Sequence, residues 1–196
     1  MLKTTAILLD EYKIYANPMA KIKRLVNNGV LTPVVKGLYE TNKDTPGYHL
    51  ASAIYGPSYL SFEFALAYYG MIPEAVYTCT CATFEKKKVK RYDTAFGTFT
   101  YRDVPSESYP YGVKLFSENG YSIALATPEK ALCDLLYTIS PCNNQSDLKN
   151  LLFDDLRIDE DELSKLNIPD LLELTQYYRT KNHKLLQSYI RRNVNE

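Results

Sequence analysis

The chain has 196 residues, 45% of them hydrophobic and 23% charged, and its 23 basic and 23 acidic side chains cancel to a formal net charge of zero. That composition excludes wholesale disorder, and the length is enough to bury a core without disulfide staples. The zero balance excludes a uniformly basic nucleic-acid coat but leaves room for a local basic patch, because docking responds to the local field.

Taken in chain order, Thr5 to Tyr15 reads as a helix that places Ala6, Leu8, Leu9 and Tyr12 on one face. Asn17-Pro18 opens a second helix: Asn accepts a backbone N–H at the cap, and Pro fits the first turn, where its missing N–H costs nothing. This helix covers residues 18–28 and stops at Gly29, a natural residue for the left-handed step past a helix end. Its apolar positions are Ile22, Leu25 and Val26, with Lys21, Lys23, Arg24, Asn27 and Asn28 pointing elsewhere. Val30 to Val35 and Leu38 to Glu40 flank Lys36-Gly37 as a short hairpin with a basic tip. Helix, basic helix and basic-tipped hairpin form the ground plan of a winged helix, in which one helix offers its exposed face to the major groove and the wing touches backbone.

Residues 44–50, with Asp44-Thr45-Pro46-Gly47, read as a linker. A helix runs from near Ser61 to Gly70, and Val76 to Thr83, Val89 to Tyr92 and Gly97 to Val104 read as strands. Val113 to Ser117 and Tyr121 to Ala126 around Asn119-Gly120 carry the strongest hairpin signal in the chain. Thr127-Pro128-Glu129 then opens a helix by cap, Pro and acidic first turn, with Ala131, Leu132, Leu135, Leu136 and Ile139 on its buried face. After Pro141 the pattern is helical, over Ser146 to Phe153, Asp159 to Leu166, Pro169 to Tyr178 and Asn182 to Asn193.

The neutral total hides a partition. Residues 1–43 carry +4, residues 44–142 carry −2, and residues 143–196 carry −2. Within the last part, Asp154 to Glu173 is acidic, whereas the tail from Leu174 sets Arg179, Lys181, Lys184, Arg191 and Arg192 against Glu196 alone. Lys86, Lys87, Lys88, Lys90 and Arg91 form a further basic run, which fits either a strand edge protected from pairing or a patch for an acidic partner.

Catalytic material is sparse. There is no Gly-rich phosphate loop and no Gly-x-Ser-x-Gly elbow, and the two histidines, His49 and His183, are far apart in sequence. Glu85 with Lys86-Lys87-Lys88 and Asp93 resembles a nuclease metal site only superficially, because no second well-placed acid completes it. Cys79, Cys81, Cys133 and Cys142 lack metal-ligand spacing and read as reduced packing residues. No catalytic residue, metal or cofactor is therefore expected. No apolar run reaches the ~18 residues of a membrane-spanning helix, and Met1-Leu2-Lys3-Thr4-Thr5 does not open a signal peptide. The expectation is a cytoplasmic protein without a membrane partner.

Several blocks together resemble a known family, the AbiEi-type antitoxins. They are Leu25-Val26-x-x-Gly29-x-Leu31, Lys36-Gly37-Leu38-Tyr39, Ile54-Tyr55-Gly56-Pro57-Ser58-Tyr59-Leu60-Ser61, Ala65 to Glu74, Phe96-Gly97-Thr98-Phe99-Thr100-Tyr101 and Thr127-Pro128-Glu129-Lys130-Ala131-Leu132-Cys133-Asp134, covering roughly residues 22–137. The resemblance implies a bacterial type IV toxin–antitoxin (abortive-infection) system. It implies an N-terminal winged-helix module that represses its own operon, and a following domain that neutralises a cognate nucleotidyltransferase-like toxin without enzymatic activity or cofactor. Carried onto this chain, Lys21, Lys23, Arg24 and Asn28 would face promoter DNA and Lys36 would sit on the wing. The blocks around Tyr55 to Pro73 and Thr127 to Asp134 are mostly apolar or capping residues and read as fold determinants, so Tyr55, Tyr59, Tyr68 and Tyr69 are expected in the core.

The expected architecture is α+β: a winged-helix-like module at 1–43, then a domain of mixed antiparallel sheet and helices at 44–196 with a helical C-terminus. The expected function is an antitoxin and transcriptional autorepressor, with self-association left open. The alternatives are a protein-interaction module without DNA contact, binding through the 86–91 run or the basic tail, and an enzyme that processes nucleic acid.

Overall fold

The computed structural model describes residues 1–193; Glu196, counted above with the basic tail, lies outside them. The front end is built from β1 (Leu2–Thr4), α1 (Thr5–Glu11), α2 (Pro18–Asn27), β2 (Thr32–Val35) and β3 (Leu38–Glu40). The Thr4 hydroxyl caps α1 by accepting from the Ile7 N–H at 3.3 Å, and the Asn17 side chain caps α2 by accepting from Ala20 at 3.0 Å. α1 ends four residues before the expected Tyr15. Asn17 precedes a proline, is kept out of helical geometry and serves as a cap, so the chain turns between the two helices. The three strands form an antiparallel sheet in the order β1-β3-β2. The hairpin turns at Lys36-Gly37, where Gly37 takes a φ of 84°, and its register shifts at Pro33, which has no N–H to give the ladder.

The expected linker at 44–50 is instead built into the fold. It holds a single 3-10 turn (Gly47–Leu50) with Thr45, His49 and Leu50 buried, and a side chain at Gly47 would collide with the Phe96 carbonyl. Beyond it come α3 (Ala51–Ile54), β4 (Tyr59–Leu60), α4 (Phe62–Tyr68), β5 (Cys79–Thr83), β6 (Lys90–Thr94), β7 (Gly97–Asp103), β8 (Val113–Glu118), β9 (Tyr121–Ala126) and α5 (Pro128–Thr138). The six strands form one sheet in the order β6-β7-β5-β4-β9-β8. The sheet is mixed: β6/β7, β8/β9 and β4/β5 are antiparallel, while β5/β7 and β4/β9 run parallel. The helical C-terminus consists of α6 (Gln145–Lys149), which continues through a wider π-type turn at Asn150–Asp155, then α7 (Glu160–Ser164), α8 (Ile168–Thr175) and α9 (Lys181–Asn193). The protein is thus α+β, with a mixed sheet and a helical end.

α5 is the hub. It packs on α4 and β9 on one side and on α8 and α9 on the other. Leu8, Ile22 and Leu31 make a small core of their own under α1 and α2, while Val34 and Leu38 of the β2–β3 hairpin join the large core. The hairpin is therefore shared between the front end and the sheet. Of the tyrosines expected in the core, Tyr59 is buried, Tyr55 and Tyr69 are half-buried, and Tyr68 is 56% exposed because it lies on the outer side of α4.

Candidate nucleic-acid interface and buried polar centre

α2 presents two unlike sides. Ile22 is buried, with Leu25 and Val26 packed beside it, as a 3.6-residue period requires. Lys23, Arg24, Asn27 and Asn28 are exposed. Asn28 also closes the helix, its backbone N–H donating to the Arg24 carbonyl at 3.0 Å. Lys36 is exposed at the hairpin turn. Lys23 and Lys36 meet across a groove of about 390 Å³ between α2 and the hairpin, floored by Met19, Val26, Val35 and Tyr39. Lys23, Arg24 and Lys36 form no ion pair among the described residues, so their charges are free to meet phosphate. Lys21 differs from its neighbours. It is half-buried, with Nζ 4.9 Å from the Tyr15 ring centre and 5.9 Å from that of Tyr12, so it leans on the turn after α1.

The 86–91 run does not form a single patch. The Lys86 ammonium lies 5.4 Å over the Tyr55 ring. Lys87 takes a φ of 57° and donates its backbone N–H to Asp103 at 2.6 Å. Lys88 is exposed, Lys90 is half-buried on β6, and Arg91 bonds Asp93 two residues on through both Nε and Nη2, at 3.1 and 2.9 Å. That pairing holds the Asp93 carboxyl below its ordinary value. β6 is an outer strand of the sheet. Glu85 accepts from the Ser106 hydroxyl, so neither acid of the nuclease-like arrangement is without a partner.

The densest polar chemistry lies elsewhere, at the middle of the large core. Asp134 and Lys130 are one turn apart on α5 and fully buried, 3.3 Å apart. Asp134 accepts from Tyr59 (2.9 Å), Ser61 (2.6 Å) and Tyr178 (2.5 Å). Lys130 donates to the Ser108 carbonyl at 2.7 Å and to the Tyr178 hydroxyl at 2.6 Å. His183 stacks flat on Tyr178 at 4.4 Å, with one ring nitrogen 3.0 Å from the Cys133 carbonyl and the other 2.6 Å from the Thr180 hydroxyl. Burial and the Asp134 carboxylate push the Tyr59 and Tyr178 hydroxyls far up. Burial pulls Lys130 down against the opposing pull of Asp134, and it drives His183 down to about 4. Burial raises the Cys79 thiol to about 11 and the Cys81 and Cys133 thiols further still, which leaves them unreactive as nucleophiles. Among the described residues no polar side-chain group of this centre lacks a partner, as a centre that holds the fold together requires.

The centre joins two of the quoted blocks. Tyr59 and Ser61 come from one block and Lys130 and Asp134 from another, while the Tyr101 of a third donates to the Ala51 carbonyl at 2.7 Å. Sequence reasoning marked Tyr59, Lys130 and Asp134 only as fold determinants and missed Ser108, Tyr178 and His183. Tyr178 and His183 could have been found only as polar residues inside the apolar helical stripes of 169–178 and 182–193, whereas Ser108 lies in a turn and takes part through its backbone carbonyl, which no sequence signal marks. No protein-family model matches the chain, and no curated protein matches it. No helix among the described residues is long and apolar enough to cross a membrane.

Proposed function

We propose that this chain is an antitoxin and autorepressor of the AbiEi kind, from a type IV toxin–antitoxin system. In this reading α2 and the β2–β3 hairpin form a winged-helix module that binds promoter DNA of its own operon. The rest of the chain neutralises a cognate nucleotidyltransferase-like toxin, and the protein is not an enzyme. The observation that carries the reading is the line of unpaired Lys23, Arg24 and Lys36, beside Asn27 and Asn28, on a capped helix seated on the small core and a hairpin tip anchored by Val34 and Leu38 in the large one. Lys and Arg neutralise phosphates, and Arg and Asn have the donors to read base edges.

The test is fluorescence anisotropy with DNA from upstream of its own gene, at low and moderate salt. Specific binding that weakens steeply with salt, and that is markedly weaker in the double variant Lys23→Ala/Arg24→Ala, is the expected result. Binding unchanged in that variant sinks the assignment. A second reading, protein interaction without DNA contact, has its own support: Ile7, Leu9, Ile14 and Met19 of the front end are exposed apolar side chains. Failure of any promoter fragment to bind, with rescue of cells from the toxin intact, would select it.

A further inference from the structure

The two outer strands of the large sheet are finished differently. β6 carries Lys90, Arg91 and Asp93 and has β2 lying beside it. β8, at the opposite edge, carries exposed Lys114, Leu115 and Ser117, with Leu115 81% exposed. Glu118 and Tyr121 close a two-residue turn at Asn119-Gly120, which makes them a hydrogen-bonded pair. By alternation, Lys114, Phe116 and Glu118 therefore bond to β9, and Val113, Leu115 and Ser117 turn their N–H and C=O groups outward. No other described backbone group takes these up. An exposed edge of this length with an apolar side chain on it is a template for another strand.

We propose that β8 pairs antiparallel with β8 of a second copy of this chain across a two-fold axis, joining the two sheets into one. Parity restricts the register. Only odd-numbered residues offer outward groups, so odd must face odd, and the axis must pass through a residue rather than between two. An axis through Leu115 sets Lys114 against the partner's Phe116 and leaves every charge unmatched. An axis through Phe116 sets Lys114 against the partner's Glu118, and by symmetry does so twice. It also brings the two Leu115 side chains into diagonal contact, at roughly 7–8 Å between backbones and within reach of long side chains. Glu118 is placed to respond: it accepts from Tyr48 at 3.0 Å and its side chain remains 42% exposed. The Phe116-centred register, with its two cross-strand ion pairs, is the one the charge pattern selects.

Analytical ultracentrifugation of the full chain across the micromolar range tests this. The wild type should be dimeric. Ser117→Pro deletes an outward N–H at an edge position that the monomer tolerates, and should give a monomer of unchanged Tm. Leu115→Lys, at a side chain the monomer already exposes, should do the same, and it decides the matter should the proline variant not fold. Lys114→Glu should weaken the dimer by about tenfold, since both cross-strand pairs become repulsive. A wild type that stays monomeric throughout, or a dimer indifferent to Leu115→Lys and Lys114→Glu, overturns the proposal.

Discussion

Lysine is used in opposite ways in two parts of this protein. At the front end, Lys23 and Lys36 stand in solvent around a groove without a carboxylate partner. At the centre, Lys130 has no exposed surface and is enclosed by Asp134, Tyr178 and the Ser108 carbonyl. An exposed ammonium changes partner freely and contributes little to the fold, whereas a buried one has no water to fall back on and is fixed by its neighbours. The front end is therefore where substitutions should alter binding and leave stability alone, and the centre is where the reverse should hold.

The largest effect should come from breaking the centre on one side only. Asp134→Ala leaves Tyr59, Ser61 and Tyr178 buried without their acceptor and Lys130 without its counter-charge, and should lower the unfolding free energy by about 3–5 kcal/mol in urea denaturation. Tyr59→Phe removes a single donor and should lower it by about 1 kcal/mol. A variant Asp134→Ala as stable as the wild type would mean that the centre does not hold the fold. Next comes His183, whose ring sits at about 4 in the folded protein against 6.5 unfolded, because burial disfavours its charge. Between those two values the unfolded chain binds a proton that the folded chain refuses. The His183 contribution to stability should thus be fully present above pH 6.5 and be lost, by about 3 kcal/mol, as the pH drops toward 4. His183→Gln should flatten this part of the profile; an unaltered slope would place the titration elsewhere.

The same division marks how much was legible beforehand. Elements bounded by local chemistry were readable: Asn17-Pro18 starts α2, Thr127-Pro128 starts α5, and Asn119-Gly120 places β9 at Tyr121–Ala126. β1 and β4 were not, since two or three residues carry no periodicity and both are strands only through distant partners, Glu40 for Leu2, and Ala82 and Leu125 for Tyr59 and Leu60. The exposed cations of α2 follow from the helical period once Ile22, Leu25 and Val26 are placed inward. The partners of Asp134 lie 75 and 44 residues away in sequence, at Tyr59 and Tyr178, and nothing local announces them.

The DNA-facing side should show the converse of the Asp134 result. Lys23→Ala/Arg24→Ala should lower the salt dependence of promoter binding by about 2 in the slope of log affinity against log salt, one for each phosphate contact. The melting temperature should hold, since neither side chain has a partner in the fold. A double variant that loses stability in step with DNA affinity would dissolve the contrast between the two regions.

Lys21 provides the smallest and sharpest comparison, because it is one helical turn from Leu25 and two residues from Lys23, yet it faces α1. Its contacts are the Tyr12 and Tyr15 rings rather than open solvent. These cation–π contacts add to the Tyr12–Tyr15 edge contact in seating Tyr12 on the small core of Leu8, Ile22 and Leu31. Lys21→Ala should therefore lower stability by about 0.5–1 kcal/mol. It should change promoter affinity less than Lys23→Ala, although the two side chains carry the same charge on the same helix. Equal losses of affinity from the two substitutions, at constant stability, would show that Lys21 leaves the tyrosines to reach phosphate. The direction in which a lysine leans, rather than its presence in a basic run, is then what decides whether it belongs to the fold or to the partner.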